Sequence, residues 1–409
     1  ELAESSGERW QITEERGKIM EETWVAELRR QFPVTEKTAF LDIAYENCGA
    51  AYMEEAIQRF FRDKADLSPD MPKLGGGGKG RVVDTVADTR RKLAAFLNAP
   101  GPKHIAFTAN TCQAVSMALM GLTYRPGDNI VVGRMEHVSV LMPCLQAQKQ
   151  GAACKIVDGA NGLWVTAEEL LDAVDAHTRV VAVSYVQSGS GYRVDLKKLV
   201  EECHRRGVLV VTDAIQALGL VDVDVQDLGV DALAGSPYKG MLAMEGMGFL
   251  YLSSAMLAQV EPAFACYNAA MTVDRESASI RCVDPGDARK LEAGNIPFSS
   301  IYVLGEALER FHQVGLDRIT AHVSACYEAA YRGLESLGYS MATPFDTDHR
   351  CASFLVRVEG EEAFVDFLAQ QGVYISTGRP GYARISVAPF TNQADIRRLL
   401  DAARAWHGQ

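Results

Sequence analysis

The chain has 409 residues, of which 48% are hydrophobic and 23% are charged. This composition is ordinary for a soluble globular protein, and the length favours one large domain with a smaller second domain. The formal net charge of −12 argues against a nucleic-acid partner. No apolar run approaches the roughly 20 residues that span a bilayer, so we expect no membrane segment.

The N-terminal segment and the cysteines predict the cellular compartment. The first 17 residues are polar and charged, which is not typical of a secretory signal. The nine cysteines form no CxxC motif and show no Cys/His ligand spacing. Together these features predict a cytoplasmic protein with reduced thiols and without a metal site.

The chain begins with segments of mixed character. Residues 1–36 are predicted to form a polar arm and an amphipathic helix over Thr23–Phe32, which would pack on the small domain. A short strand follows at Thr38–Asp42, and then an irregular segment at Tyr45–Gly49. The glycine run Leu74–Gly80 lacks the Ser/Thr that follows the lysine of a phosphate loop, so we interpret it as a flexible loop or a lid.

Helices and strands then alternate, and we assign residues 37–298 to a large α/β domain. The predicted helices are Met53–Lys64, Val82–Leu97, Thr111–Leu122, Val140–Gln150, Ala167–Val174 and Leu196–Arg206. The predicted strands are His104–Thr108, Asn129–Gly133, Ala153–Val157, Val180–Tyr185, Val208–Thr212, Asp231–Ala234 and Gly248–Leu252. Short apolar strands separated by amphipathic helices predict a largely parallel sheet that is covered on both faces.

Residues 299–409 are predicted to form a smaller α+β domain. Its predicted helices are Ile301–Val314, Ile319–Leu337 and Gln393–Trp406. Its predicted strands are Ser353–Val358, Val373–Ser376 and Ala383–Val387.

Two charged residues fit the anchors of a pyridoxal 5′-phosphate (PLP) site. Asp213 follows the predicted strand Val208–Thr212, and Lys239 lies 26 residues further on, in Gly235-Ser236-Pro237-Tyr238-Lys239-Gly240. In PLP enzymes a lysine forms a Schiff base with the cofactor, and a carboxylate keeps the pyridine nitrogen protonated so that the ring accepts electrons. A buried Asp213 would need such a cation, although a helix cap or a buried hydrogen bond is an alternative explanation.

A turn after another strand is a candidate phosphate site. Ligands of open α/β sheets bind at the carboxyl ends of the strands, where helix N-termini offer free N–H groups. The turn Thr108–Gln113 lies at such a position, and Thr111 adds a hydroxyl. An ordinary helix N-cap by Asn110 or Thr111 is the alternative.

Two further side chains are expected at the same edge of the sheet. His137 follows the strand Asn129–Gly133 and is either stacked on a cofactor ring or an ordinary core or surface histidine. Gln216 lies three residues after Asp213, which would bring it within reach of a ring oxygen.

These residues belong to an ordered series that resembles a known family. The series is Phe107-Thr108-Ala109-Asn110-Thr111, Glu136-His137, Asp213-Ala214-Ile215-Gln216, Ser236-Pro237-Tyr238-Lys239, Glu292-Ala293-Gly294-Asn295 and Arg384-Ile385-Ser386. Its order and spacing resemble class V aminotransferase-fold PLP enzymes of fold type I. That group includes cysteine desulfurases, isopenicillin N epimerase-like proteins and cysteine-conjugate C–S lyases. The resemblance covers Phe40 to Phe390 and implies a mainly parallel seven-stranded-type sheet, PLP as cofactor, an amino-acid substrate and a homodimer with shared sites.

The resemblance also implies a role for each matched residue. Lys239, Asp213 and His137 would be catalytic, carrying the cofactor, pairing with its pyridine nitrogen and stacking on its ring. The implied cofactor-binding residues are these three together with Asn110, Thr111, Cys112, Ser188 (or adjacent Gln187), Gln216, Ser236, Tyr238 and Asn295. Asn295 would reach the phosphate of the neighbouring subunit.

The implied substrate site contains two arginines. Arg384 would hold the substrate α-carboxylate as a bidentate fork. Asn47 and Arg379 would line the pocket for the substrate side chain, although Arg379 is equally compatible with a solvated surface position.

One departure from the resemblance bears on the reaction. Similar cysteine desulfurases carry a nucleophilic cysteine on a loop shortly before the carboxylate-binding arginine, whereas Ser376–Arg384 is short and contains no cysteine. Cys48 and Cys112 are candidates to approach the site, but a structural role is expected for each. We therefore rank a C–S lyase first, ahead of an epimerase or aminotransferase and of a decarboxylating or oxidative tailoring enzyme. A cysteine desulfurase is ranked last among the enzymes, and a non-enzymatic binding protein is the remaining alternative.

Overall fold

The computed structural model describes residues 23–66, 80–264, 272–274, 276 and 281–407. The α-helices described are α1 (Thr23–Arg29), α2 (Ala51–Ala65), α3 (Arg81–Phe96), α4 (Thr111–Met120), α5 (Val138–Gln146), α6 (Ala167–Ala173), α7 (Leu196–Arg205), α8 (Val225–Leu228), α9 (Ser254–Leu257), α10 (Phe298–Val314), α11 (Leu316–Ser336), α12 (Glu361–Gln370) and α13 (Gln393–His407). The strands are β1 (Ala39–Phe40), β2 (Ile105–Thr108), β3 (Asn129–Gly133), β4 (Ala153–Val157), β5 (Thr178–Ser184), β6 (Leu209–Asp213), β7 (Ala232–Gly235), β8 (Gly248–Leu252), β9 (Thr272–Asp274), β10 (Arg281–Val283), β11 (Ser340–Met341), β12 (Ser353–Arg357), β13 (Val373–Tyr374), β14 (Ser376–Thr377) and β15 (Tyr382–Ser386).

A seven-stranded sheet forms the centre of the molecule, with the order β2-β8-β7-β6-β5-β3-β4. The strands are parallel except β8, which runs antiparallel to β2 and β7. Val131 of β3 packs into one hydrophobic cluster, whereas its neighbours Ile130 and Val132 pack into another. Because successive side chains of a strand point to opposite faces, both faces of this sheet are buried. The α/β fold with a mainly parallel sheet is thus present.

The topology brings several chain segments to one edge of the sheet. The His137 turn follows the carboxyl end of β3, Asp213 is the last residue of β6, and the Lys239 loop follows β7. In a parallel sheet the carboxyl ends of strands share an edge, which is where ligands bind in open α/β folds. The fold therefore positions these segments for one common site.

A second, antiparallel sheet has the order β11-β12-β15-β14. The single strand predicted at Val373–Ser376 is corrected here, because it is two short strands in different sheets. β13 pairs in parallel with β1, whereas β14 pairs with β15. The buried Ile375 lies between β13 and β14, where the chain passes from one sheet to the other.

The N-terminal helix packs against the C-terminal part of the chain. Trp24 and Val25 of α1 are buried, and Arg29 forms an ion pair of 2.5 Å with Asp395. Residues 1–22, which include the predicted polar arm, lie outside the described residues, as does most of the glycine run before residue 80.

The predicted domain boundaries stay predictions. β1 lies beyond the boundary predicted at residue 36, yet it pairs with β13 of the C-terminal region. Likewise α10 lies beyond the boundary at residue 298, yet it packs against α2 and α3. None of the helices in the described residues is long and apolar enough to cross a membrane.

Candidate active site

The loop that carries Lys239 is held by hydrogen bonds from its own backbone and from Asn47. Asn47 donates from Nδ2 to the carbonyl oxygens of Tyr238, at 2.8 Å, and Ala243, at 2.7 Å. Leu242 has a φ of 57°, a left-handed conformation that is uncommon for a leucine, and its carbonyl accepts a hydrogen bond from the buried Tyr52 hydroxyl. Asn47, predicted to line the substrate pocket, therefore commits its N–H groups to bracing the lysine loop.

Lys239 is buried, and its Nζ lies 5.7 Å from the centroid of the Tyr238 ring. The residue is 8% exposed, and no side-chain or backbone group of the described residues forms a hydrogen bond or an ion pair with Nζ. The pKa of Lys239 is lowered to about 8, chiefly by burial and also by the nearby Arg384, while Asp213 and Asp42 act in the opposite direction. A large fraction of the amine is therefore neutral near pH 8, which is the form that condenses with an aldehyde.

Asp213 is the buried carboxylate at the end of β6. Its Oδ1 accepts a hydrogen bond from the Ile215 N–H at 2.9 Å, and its Oδ2 accepts one from the Ser139 hydroxyl at 3.0 Å. Burial raises the pKa of Asp213, while these two donors and the nearby Lys239 lower it. A cation placed against Asp213 would hold the carboxylate in its charged form.

Ser139 connects Asp213 with His137. The His137 side chain caps α5, because its Nδ1 accepts a hydrogen bond from the Ser139 N–H, and the Ser139 hydroxyl lies 2.8 Å from Nδ1. Burial lowers the pKa of His137, which favours the neutral form of the ring. The sequence analysis did not find Ser139; its position in the first turn of the helix after His137 was the signal for it.

Glu136 is a second buried carboxyl group close to Asp213. It accepts hydrogen bonds from the backbone N–H of Ser184, at 2.9 Å, and from the Ser184 hydroxyl. Ser184 is the register partner of Asp213 in the adjacent strands β5 and β6. The pKa of Glu136 is raised to about 7, chiefly by burial and also by the charge of Asp213, while the hydrogen bonds from Ser184 lower it.

Thr111 and Ser236 meet at the start of α4. The backbone N–H and the hydroxyl of Thr111 each lie 2.9 Å from the Ser236 hydroxyl oxygen. The Asn110 side chain caps the helix by accepting a hydrogen bond from the Gln113 N–H at 2.8 Å. The helix N-terminus and the two hydroxyls together form a suitable cradle for a phosphate.

Gly248, at the start of β8, packs against this turn, and Cys112 lies next to Thr111. A Cβ at Gly248 would lie 2.5 Å from the carbonyl carbon of Asn110, so only glycine fits beneath the turn. Cys112 is exposed in the first turn of α4.

Gln216 and Gln187 are held by backbone groups. Gln216 donates from Nε2 to the Ala44 carbonyl at 2.8 Å. Gln187 pairs with both backbone groups of Val165, so its amide is held within the fold. Ser188 offers its carbonyl oxygen to Arg384, and the contact with the cofactor ring that was predicted for Ser188 stays a prediction.

Arg384 is buried on β15 and only partly hydrogen-bonded. It donates from Nη1 to the Ser188 carbonyl, at 2.9 Å, and from Nη2 to the Ser376 hydroxyl, at 3.0 Å. Asp42 lies 3.6 Å from Nη2, and Nε is buried with no hydrogen-bond partner in the described residues. Burial raises the pKa of Asp42, whereas Ser376 and Arg384 lower it. The sequence analysis missed Asp42, because only the fold brings it beside Arg384.

Arg379 lies in the turn between β14 and β15. It donates from Nη2 to the Met135 carbonyl at 3.0 Å, and its Nε is buried with no partner in the described part of the chain. Its guanidinium packs directly on Gly189, where a Cβ would lie 2.4 Å from Nη2. The structure therefore brings Arg379 to the His137 turn and the Ser188–Gly189 loop.

Asn295 and Cys48 are the remaining candidate residues. Asn295 is exposed before α10. The neighbouring Glu292 is buried and accepts hydrogen bonds from Arg90, at 2.6 Å, and from the Phe107 N–H, at 2.9 Å. Cys48 is partly buried, and burial raises the pKa of its thiol to about 12, which disfavours the nucleophilic thiolate.

The residues present fit PLP. A buried, unpaired Lys239 amine would bind the cofactor aldehyde, and Asp213 requires the cation that a pyridinium supplies. The Thr111 and Ser236 hydroxyls at the α4 N-terminus would hold the phosphate. The cluster therefore defines the site of a fold type I PLP enzyme.

Comparisons with known proteins agree with this assignment. The model of the aminotransferase class-V family matches residues 77–399, and the chain belongs to this family. A probable cysteine desulfurase of Methanothermobacter thermautotrophicus is 28% identical over 76% of this chain and 76% of its own length.

Two solved structures share the fold. The apo cysteine desulfurase of Thermococcus onnurineus superposes with a TM-score of 0.83 at 20% identity, covering 94% of this chain and 98% of its own. The cystine C–S lyase C-DES, in complex with its product cysteine persulfide, gives 0.80 at 21% identity, covering 91% and 99%. The chain is a PLP-dependent enzyme of fold type I, and PLP is its cofactor.

From the sequence, a cysteine desulfurase was expected to be the least favoured of the enzymes. These comparisons do not support that ranking. That ranking depended only on the missing cysteine between Ser376 and Arg384. Relatives and structural neighbours that are named cysteine desulfurases are prominent among the matches. Cys112, exposed beside Thr111, also shows that a thiol can lie close to the candidate site without belonging to that loop.

Proposed function

We propose that the chain is a PLP-dependent C–S lyase that acts on a cysteine-derived amino acid by β-elimination. The observation that carries the proposal is the buried, unpaired Lys239 amine, whose charge interacts with those of Asp213 and Arg384. The short turn between β14 and β15 contains no thiol to capture the substrate sulfur, which favours release of that sulfur as a leaving group.

Each charged residue has a task in this reaction. When bound, the cofactor withdraws electrons from the substrate Cα. Arg384 holds the α-carboxylate and so orients the Cα–H bond, and Asp213 keeps the pyridine nitrogen protonated. The neutral Lys239 amine, with its pKa of about 8, takes the Cα proton.

The bonds and electrons balance without an oxidant. The Cα–H electron pair moves to form a Cα–Cβ double bond, and the Cβ–S pair leaves with the sulfur, which takes up a proton as a thiol. Water then hydrolyses the released enamine to pyruvate and ammonia.

Cysteine desulfurase is the second candidate, because relatives and structural neighbours carry that name. This reaction needs an enzyme thiolate that attacks the substrate sulfur and keeps it as a persulfide while the amino acid leaves as alanine. Cys112 is the exposed thiol at the start of α4 and is the cysteine we would test first.

One set of incubations separates the candidates. The purified enzyme is incubated with S-substituted cysteines and, separately, with L-cysteine and a reductant, and the products are quantified. Pyruvate and ammonia in equal amounts support the lyase. Alanine and sulfide from L-cysteine, lost in Cys112→Ser but retained in Cys203→Ser as a buried control, support the desulfurase.

The same incubations, repeated with a keto acid added, detect the remaining alternatives. An epimerase yields the opposite enantiomer without loss of sulfur, an aminotransferase requires a keto-acid acceptor, and a decarboxylase releases carbon dioxide. Absence of pyruvate from every thioether and sulfoxide substrate contradicts the lyase proposal.

We further propose a homodimer with shared active sites. Asn295 is exposed in this chain, as a residue that completes a neighbouring subunit's phosphate site must be. Complementation between a chain that lacks Lys239 and a chain that lacks Asn295 tests this proposal.

A further inference from the structure

Both arginines of the candidate site lie on one β-hairpin. Arg384 is on β15, and Arg379 is in the turn that follows β14, where its carbonyl accepts a hydrogen bond from the Tyr382 N–H at 2.8 Å. A Cβ at Gly378 would lie 3.3 Å from the Arg384 Cβ and 3.7 Å from the Gly189 carbonyl. The hairpin therefore packs closely on the Ser188–Gly189 loop.

The two guanidinium groups contact successive residues of that loop. Arg384 donates to the Ser188 carbonyl, and Arg379 lies against Gly189. Arg379 also reaches the Met135 carbonyl, two residues before His137. The Arg379 guanidinium thus lies between the Ser188–Gly189 loop, which contacts Arg384, and the turn that carries His137.

The charge environments of the two arginines differ. Arg384 has Asp42 3.6 Å from Nη2. Arg379, in contrast, has no carboxylate of the described residues within ion-pair distance, and desolvation is the one influence on its pKa, which it lowers. A partly buried cation without a counter-charge, whose Nε is also unpaired, is unfavourable unless a ligand supplies an anion.

We propose that Arg379 forms a second anion subsite, so that the preferred substrate is a cysteine conjugate whose sulfur substituent carries a carboxylate or sulfonate. This inference rests on the proposed C–S lyase function. Arg384 holds the α-carboxylate, and Arg379 holds the distal anion on the departing sulfur fragment. The β-elimination itself does not specify the substituent on the substrate sulfur. An anion subsite at Arg379 would select substrates in which this substituent is negatively charged.

A matched pair of substrates tests the proposal. S-carboxymethylcysteine and S-carbamoylmethylcysteine have nearly the same shape and differ in one negative charge. Wild-type enzyme is expected to release pyruvate from the acid with a kcat/KM about 10- to 100-fold higher than from the amide, the usual range for one charge-assisted contact. Arg379→Gln removes this preference by lowering kcat/KM for the acid and not for the amide.

Two further variants separate charge from folding. Gly189→Ala keeps the Arg379 charge but displaces the guanidinium, and it should also abolish the preference for the acid. Arg397→Gln removes an exposed arginine on α13 and should leave the preference unchanged. An equal loss on both substrates in Arg379→Gln means a structural role for Arg379 and overturns the proposal.

A binding measurement does not depend on the reaction. The deaminated analogues 3-(carboxymethylthio)propionate and 3-(carbamoylmethylthio)propionate are titrated into the holoenzyme by calorimetry. The diacid should bind about 10-fold or more tightly than the amide in wild type and equally in Arg379→Gln. Equal binding in wild type overturns the subsite even if pyruvate forms. Tighter diacid binding without pyruvate from either substrate instead overturns the lyase function and leaves the subsite standing.

Discussion

At the residue scale, the candidate site is a set of buried charges that lack some of their partners. Lys239 has no hydrogen-bonded partner in the described residues, and Asp213, which accepts hydrogen bonds from one N–H and one hydroxyl, forms no ion pair there. Such groups are costly to bury alone, and in enzymes they cluster where a ligand completes them. The PLP aldehyde and pyridinium nitrogen are complementary to this pair.

Ser139 is expected to hold Asp213 in its charged form. Ser139→Ala removes the hydroxyl that donates to Oδ2 at 3.0 Å, so the pKa of Asp213 should rise. We expect kcat/KM to fall about 10- to 100-fold, the range for a hydrogen bond to a charged group. The acid limb of the pH profile should move to higher pH, and Ser139→Thr should restore it. An unchanged pH profile in Ser139→Ala would show that the hydroxyl does not act on Asp213.

The lowered pKa of Lys239 predicts how stability depends on pH. Between the folded pKa of about 8 and the ordinary value of 10.5, unfolding takes up a proton, so higher pH disfavours unfolding. In the cofactor-free protein, the free energy of unfolding relative to Lys239→Met should therefore rise from pH 7 to pH 10, by at most about 3 kcal/mol. Urea titrations of both proteins measure it, and a difference that is flat or falls with pH contradicts a lowered pKa.

Site residues at the ends of strands could be predicted from the sequence. Site residues that are brought in by tertiary contacts could not. Asp213 and Lys239 follow strands, so their shared edge was predictable. Asp42 meets Arg384 only because β1 and β15 approach each other, and nothing local to Asp42 indicates this. Asn47 was expected in a substrate pocket, but no sequence pattern shows that its amide braces the lysine loop.

At the element scale, the turn from β2 into α4 depends on the absence of a side chain at Gly248. Gly248→Ala would place a Cβ 2.5 Å from the Asn110 carbonyl carbon, so the turn must move. We expect a loss of about 1–3 kcal/mol in the free energy of unfolding and weaker cofactor binding. Gly49→Ala, where nothing lies within 4 Å of the added Cβ, is the matched control. Equal behaviour of the two variants in urea unfolding and cofactor titration argues against a cradle at this turn.

The elements of the central sheet were predictable because their signal is local. The bounds predicted for Asn129–Gly133, Ala153–Val157 and Gly248–Leu252 are those of β3, β4 and β8, since β-branched or apolar runs between helices indicate strands. The antiparallel direction of β8 was not predicted, because no sequence pattern specifies it. The division of Val373–Ser376 between two sheets depends on partners distant in the chain, which the sequence also does not show.

At the scale of the whole molecule, shared sites predict that two defective chains can complement each other. Lys239→Ala and Asn295→Ala should each lower activity, because one loses the amine and the other a contact to the partner's phosphate. In a mixed dimer one site combines both defects, whereas the other contains an intact Lys239 and an intact Asn295. Activity should therefore reappear on mixing after reversible dissociation, and size-exclusion chromatography should show a dimer. A dimeric mixture that stays inactive means that Asn295 does not serve the neighbouring site.

The most direct test of the central claim is to locate the covalent bond between the cofactor and the chain. Holoenzyme is reduced with borohydride, digested and analysed by mass spectrometry, with Lys155→Ala as a control at a partly exposed lysine that pairs with Asp175. We expect a single modified peptide, with the cofactor on Lys239, in wild type and in the control, and none in Lys239→Ala. A cofactor attached to another lysine, or retained covalently in Lys239→Ala, would contradict the assignment of Lys239 as the residue that binds PLP.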